Sequence, residues 1–126
     1  MARVVHFEVT ADDPERAVDF YSKAFGWRIQ RWEGGPPYWL IDTGEGVGTG
    51  GAIMPRGDHQ QAVINTIGVE SIEQAMAAVR SAGGEVLMDA PDEIPGVGLF
   101  VYARDTEGNE FGLLQPAPRN PDQSGS

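Results

Sequence analysis

Cysteine is absent from the 126 residues. No disulfide framework, thiolate metal site or cysteine nucleophile can be built, and the redox compartment stays open. Basic residues are scarce: nine Lys and Arg stand against nineteen Asp and Glu, a formal charge of −10. Such a chain repels phosphate backbones and anionic headgroups, which argues against nucleic-acid and peripheral membrane binding. Long apolar runs are also missing. Nothing approaches the ~20 residues of a membrane span, and the opening Met1-Ala2-Arg3-Val4-Val5-His6 is too short and mixed for a signal peptide. A cytoplasmic domain is expected, with neither nucleic acid nor membrane among its partners.

Enough apolar material is present for one core. Hydrophobic residues make up 40%, and domains typically run to ~100–150 residues. Two stretches repeat. The first runs Val5-His6-Phe7-Glu8-Val9-Thr10, then Ala11-Asp12-Asp13, then Pro14-Glu15-Arg16-Ala17. The second runs Val63-Ile64-Asn65-Thr66-Ile67-Gly68, then Val69-Glu70-Ser71, then Ile72-Glu73-Gln74-Ala75. Setting Ala17 against Ala75 aligns them without a gap.

Each repeat opens with a strand. Val5, Phe7 and Val9 alternate with His6, Glu8 and Thr10, separating an apolar face from a polar one. A helix follows, with Asp13 as N-cap, Pro14 in the first turn and Gly26 as stop; Ala17, Phe20, Tyr21, Ala24 and Phe25 share its apolar face. Phe20 and Ala24 are expected to meet Val5, Phe7 and Val9. In the second repeat Ser71 and Gln74 form a capping box, and Ile72, Ala75, Met76 and Val79 line one face.

Three extended segments follow each helix: Trp27–Trp32, Tyr38–Ile41 and Gly51–Met54, then Glu85–Met88, Leu99–Ala103 and Glu110–Gln115. Glycine- and proline-rich turns part them, Pro91–Gly98 among these. The pattern is β-α-β-β-β written twice. It makes a single α+β domain over 1–117, with module one about 1–56, module two about 62–117, and a disordered tail over 118–126.

His6-Phe7-Glu8-Val9, Asp13-Pro14-Glu15-Arg16-Ala17, Phe20-Tyr21 and Phe25-Gly26-Trp27 resemble the vicinal oxygen chelate superfamily. This group includes glyoxalase I, bleomycin-resistance proteins, fosfomycin-resistance enzymes and extradiol dioxygenases. The closing Pro95-Gly96-Val97-Gly98, Asp105-Thr106-Glu107-Gly108-Asn109 and Phe111-Gly112-Leu113 resemble its glyoxalase-like members. The resemblance implies two tandem βαβββ modules forming a curved mixed sheet around a cavity. It also implies a homodimer.

Metal-dependent members resembling glyoxalase I take one ligand from the first and one from the last strand of each module. Carried over, the first-strand positions fall on His6 and Ile64, and the last-strand positions on Gly51 and Gly112. One donor of four survives, so neither metal nor other cofactor is expected. Reactions that need an ion to polarise oxygen are disfavoured. Metal-free relatives such as the bleomycin-resistance proteins sequester a drug, and an acidic cavity suits a cationic ligand. An alternative keeps chemistry: a glyoxalase-like lyase or isomerase using His6 with Glu8 or Glu110, as an unorthodox ion site or an acid–base cluster.

Phe100, Tyr102 and Arg104 share one face of a strand, and Leu99, Val101 and Ala103 the other. The smaller set is expected under the second helix, which turns the aromatic pair toward the ligand. Trp39, counted back from Asp42-Thr43 as Tyr102 is from Asp105-Thr106, is a second candidate wall. The glycine-rich 44–51 lacks the Lys-Ser/Thr pair and following helix of a phosphate loop. His6, Glu8, Trp39, Thr66, Phe100, Tyr102 and Glu110 are thus the expected wall for a small organic ligand, aromatic or cationic.

Overall fold

In the computed structural model, residues 2–118 are described; from residue 119 on, the expected tail lies outside them. The first strand, β1 (Arg3–Ala11), behaves as its alternation dictates. Phe7, Val9 and Ala11 enter an apolar cluster with Ile41 and Ile53. His6, Glu8 and Thr10 therefore take the opposite face. Helix α1 (Pro14–Phe25) begins where Asp13 accepts a hydrogen bond from Arg16 N–H at 3.1 Å, and stops at Gly26, whose φ of 71° an L side chain resists.

The helix is rotated relative to expectation. Ala17, Val18 and Tyr21 pack inward, whereas Phe20 and Phe25 are 57% and 61% exposed and Val5 is 45% exposed. Trp27 explains this. Its indole lies flat on Tyr21, centroids 5.2 Å apart and planes within 4°, and takes the space at the helix end. Phe20 then meets Tyr21 edge-on from outside, at 5.0 Å.

Strands β2 (Arg28–Arg31), β3 (Trp39–Asp42) and β4 (Gly51–Pro55) follow. The sheet order is β2-β3-β4-β1, antiparallel except for the parallel β1–β4 pair. In that pair Phe7 stands opposite Gly51 and Glu8 opposite Ala52. A Cβ at Gly51 would strike the Phe7 carbonyl oxygen and come within 2.8 Å of the Phe7 ring. The close approach of the two strands requires glycine there. These elements, with the start of β5 (Val63–Gly68), make one compact unit, Val4–Thr66.

A second unit takes in Arg3 and the described residues from Ile67 to Pro118. Helix α2 (Ile72–Ser81) is capped by Ser71, which accepts from Gln74 N–H at 3.2 Å. Strands β6 (Glu85–Val86), β7 (Asp92–Ile94), β8 (Gly98–Arg104) and β9 (Glu110–Pro116) complete it, with β9 and β6 flanking β8. Ile72 and Met76 pack on Val101 and Leu113, with Leu99 against them, so Leu99 and Val101 of the small apolar set lie under the helix. The fold is α+β, with a β-α-β-β-β plan in each half. One element departs from that plan. β7 pairs with β8 inside the stretch expected to be a turn; Val97 N–H bonds the Ile94 carbonyl at 2.9 Å and closes a hairpin around Pro95-Gly96. Among the described residues no helix is long and apolar enough to cross a membrane.

Candidate functional site

The polar face of β1 carries the densest chemistry in the first unit. Trp39 stands opposite Ile53 of β4 and packs in the apolar cluster under α1. Alternation then places the preceding residue, Tyr38, on the other face, with His6 and Glu8. The Tyr38 hydroxyl donates to Glu8 Oε2 at 2.6 Å, and its oxygen lies 2.8 Å from His6 Nε2. The two rings stack, 6.3 Å between centroids and 13° between planes.

One proton settles the direction of this chain. The tyrosine hydroxyl has a single hydrogen, and the carboxylate takes it. His6 must therefore donate Nε2–H to the tyrosine oxygen, leaving Nδ1 as the bare acceptor of a neutral imidazole. Burial pushes the His6 pKa below its ordinary value, against an opposing upward pull from the Glu8 carboxylate. Glu8 itself is only 4% exposed. A short, charge-assisted hydrogen bond is what permits a carboxylate at that depth.

The loop before Tyr38 is shaped around Trp32. Trp32 N–H donates to the Tyr38 carbonyl at 2.7 Å, and the two rings meet at 5.9 Å and 69°. The chain at Gly34 and Gly35 crosses the indole so closely that a Cβ at Gly34 would fall 2.5 Å from Trp32 ring atoms. Trp32, Tyr38 and His6 thus form a run of rings ending at a buried carboxylate. Thr10 shares the face but is committed to structure: its hydroxyl donates to the Gln61 carbonyl at 2.9 Å and accepts from Arg56 Nε at 3.1 Å.

Of the residues expected to meet ligand, His6 and Glu8 come together, joined by Tyr38. Trp39 does not join them. It packs with Ile29, Ile41 and Ile53, and Arg31 lies over its ring at 5.1 Å. The match of Asp42-Thr43 to Asp105-Thr106 misplaced it, because Asp42 ends a strand whereas Asp105 lies beyond one. Gly51 is likewise out by one: its missing side chain would point at Phe7, and the residue beside Glu8 is Ala52, wholly buried. Thr66 is 2% exposed, and its hydroxyl has no hydrogen-bond partner among the described residues.

In the second unit Phe100 and Tyr102 meet edge-on at 4.7 Å, on the face of β8 away from α2. Tyr102 stands opposite Gly112 and Arg104 opposite Glu110, so Glu110 shares that face. Among the described residues no three His, Asp or Glu side chains are gathered as a metal-holding group. An open groove of about 550 Å³ along β2 and β3 is lined by Arg28, Ile29, Gln30, Leu40, Ile41 and Asp42. It contains none of the His6, Tyr38 and Glu8 chemistry, and the buried hydrogen-bond chain is the better candidate site. Tyr38 is the residue that the sequence pattern passed over; counting one back from an apolar Trp39 would have found it.

Comparison with known proteins gives concordant results. The profile of the Glyoxalase/Bleomycin resistance protein/Dioxygenase superfamily matches residues 3–113. A glyoxylase-like domain-containing protein of Didymella fabae is 32% identical over 116 residues, covering 84% of this chain and 88% of that protein. CFP32 of Mycobacterium tuberculosis, provisionally named a glyoxylase, is 30% identical over 117 residues; the match covers 89% of this chain but only 43% of the relative. Among solved structures, methylmalonyl-CoA epimerase from Mycobacterium tuberculosis superposes with a TM-score of 0.71 at 13% identity, covering 98% of this chain and 91% of that one. The Streptomyces coelicolor methylmalonyl-CoA epimerase in complex with 2-nitronate-propionyl-CoA gives 0.70 at 19%, covering 92% and 98%.

Proposed function

Because the chain belongs to the Glyoxalase/Bleomycin resistance protein/Dioxygenase superfamily, we propose that it binds a small organic ligand, cationic or aromatic, at the His6–Tyr38–Glu8 face, without the metal ion of the family's enzymes. The observation that carries this reading is the buried Glu8 carboxylate at the end of the Trp32–Tyr38–His6 ring run. Aromatic faces beside a desolvated carboxylate favour an ammonium or amidinium group attached to an apolar body. The donor set does not fit the family's ion. His6 Nε2 is engaged by Tyr38, Ala52 offers a methyl group beside Glu8, and Ile64 and Gly112 carry no ligand atom.

Isothermal titration with benzylammonium and its neutral isostere benzyl alcohol tests this. Benzylammonium should bind the wild type more tightly, and Glu8→Gln should erase the preference. Equal affinity for both compounds would refute the cationic part of the reading, and no binding of either would refute the site.

A second reading rests on the hydrogen-bond chain itself. A neutral imidazole linked through a tyrosine to a carboxylate can relay a proton, as a lyase or isomerase requires. Two of the similar structures are named as epimerases of a coenzyme A thioester. Turnover of the methylglyoxal–glutathione adduct, or exchange of the α-hydrogen of a 2-methyl-branched acyl thioester in D2O, lost in Tyr38→Phe, would establish it. Glu110 stays a candidate base on the second unit, and Phe100 and Tyr102 stay candidate ligand walls. A homodimer and a cytoplasmic location belong to the same proposal; sedimentation equilibrium checks the former.

A further inference from the structure

Thr66 poses a problem that the site described so far does not solve. Burying a hydroxyl without a hydrogen bond is destabilising, and valine, of nearly the same shape, would avoid that cost. The hydroxyl is nonetheless there, 2% exposed and without a partner among the described residues. Its place in the fold gives it a use.

Strand β5 is hydrogen-bonded to β1. Thr10 N–H donates to the Ala62 carbonyl at 2.8 Å, so β5 starts beside the end of β1 and runs back along it. Directly opposite residues of an antiparallel pair share a face. Counting back from Thr10 and Ala62 by twos brings Ile64 opposite Glu8 and Thr66 opposite His6. The unpartnered hydroxyl therefore stands beside the imidazole whose Nε2 is engaged by Tyr38 and whose Nδ1 is the bare acceptor.

We propose that Thr66 is a specificity-determining ligand contact: its hydroxyl donates to a carbonyl oxygen while His6 Nδ1 accepts from an adjacent N–H, so that together they recognise a carboxamide. This rests on ligand binding at the His6–Tyr38–Glu8 face and adds a second, neutral recognition point to it. A carboxamide carries the acceptor and donor side by side. A ketone or an ether satisfies only one of the two positions.

Benzamide serves as the probe, with benzylammonium as the control for Glu8, in amide-resolved NMR titrations of the wild type, Thr66→Ser and Thr66→Val. Benzamide should shift the Thr66 and His6 resonances in the wild type and Thr66→Ser, and bind Thr66→Val roughly tenfold more weakly. Benzylammonium should bind all three alike. Without ligand, Thr66→Val should melt roughly 3–6 °C higher, since the orphan hydroxyl is gone. The proposal is overturned if benzamide leaves the wild type unperturbed or binds Thr66→Val equally well. It is also overturned if Thr66→Val melts lower, because the hydroxyl is then already satisfied by a structural partner such as a buried water. Loss of benzylammonium binding with benzamide discrimination intact would remove the cationic reading and leave Thr66 in its role.

Discussion

Replacing Tyr38 with phenylalanine removes one oxygen and, with it, two hydrogen bonds: 2.6 Å to Glu8 and 2.8 Å from His6. The ring remains against Trp32 and His6, so no cavity opens. The cost is therefore one of polar satisfaction. A hydrogen bond to a charged acceptor contributes about 1.5–3 kcal/mol, a neutral one about 0.5–1.5. Added together, the two place the expected loss at about 2–4.5 kcal/mol. Urea unfolding at pH 7.5 measures it, with the slope of the transition unchanged if only the folded state is affected. A double-mutant cycle sharpens the test. In Tyr38→Phe with Glu8→Leu both polar partners are gone, and the pair should cost less than the two single changes added, by about 1.5–3 kcal/mol. A Tyr38→Phe protein within about 0.5 kcal/mol of wild type, the usual range for an uninvolved surface position, would refute the idea that this hydroxyl supports the buried carboxylate. Strict additivity would refute the pairing.

Three other outcomes follow from the same structure. Burial holds the His6 pKa below the ordinary 6.5, so between the two values the unfolded chain binds more protons than the folded one. The stability contributed by neutral His6 is full above about pH 6.5 and is lost as pH falls toward the lowered value; His6→Gln should flatten that segment, whose slope is at most about 1.4 kcal/mol per pH unit. Gly51→Ala forces a methyl group onto Phe7 and should destabilise by about 1–3 kcal/mol in thermal melts, as overpacking does. Phe20→Ser, on the exposed side of α1, loses its edge contact with Tyr21 and should lower the unfolding free energy in urea by about 0.5–1.5 kcal/mol; a core-sized loss of about 3–5 kcal/mol would show that the helix is turned the other way.

Much of this architecture was legible because local signals agreed with one another. The Phe7-Val9 alternation, the Asp13 and Ser71 caps and the Gly26 stop each act within a few residues, and each is where expected; Val5, at the start of the strand, stays exposed. The helix face of α1 was less legible. Ala17, Phe20, Tyr21, Ala24 and Phe25 fit an apolar stripe, but Ala17, Val18 and Tyr21 share a neighbouring face, and that is the one that packs inward. The choice between them is made by Trp27, outside the helix, stacking on Tyr21. Strand β7 was hidden for a related reason: Asp92-Glu93-Ile94 has no apolar alternation, and its pairing is imposed by the hairpin around Pro95-Gly96.

The site shows most sharply where sequence reasoning stops. A strand has a period of two, so a displacement of one residue moves every side chain to the other face. Trp39 was matched to Tyr102 through turn residues, although Asp42 belongs to its strand and Asp105 to a turn. The shift exchanged Trp39, which packs under α1, for Tyr38, which bridges His6 and Glu8. The same slip made Gly51 a ligand position in place of Ala52. In that second case the chemistry survives the error, because a methyl group is no better a donor than a hydrogen. In the first it does not, since the buried Glu8 is held by the residue that parity had hidden. A carboxylate predicted on a half-buried strand face should therefore prompt a search for its donor on the neighbouring strands, one residue to either side of any large apolar side chain.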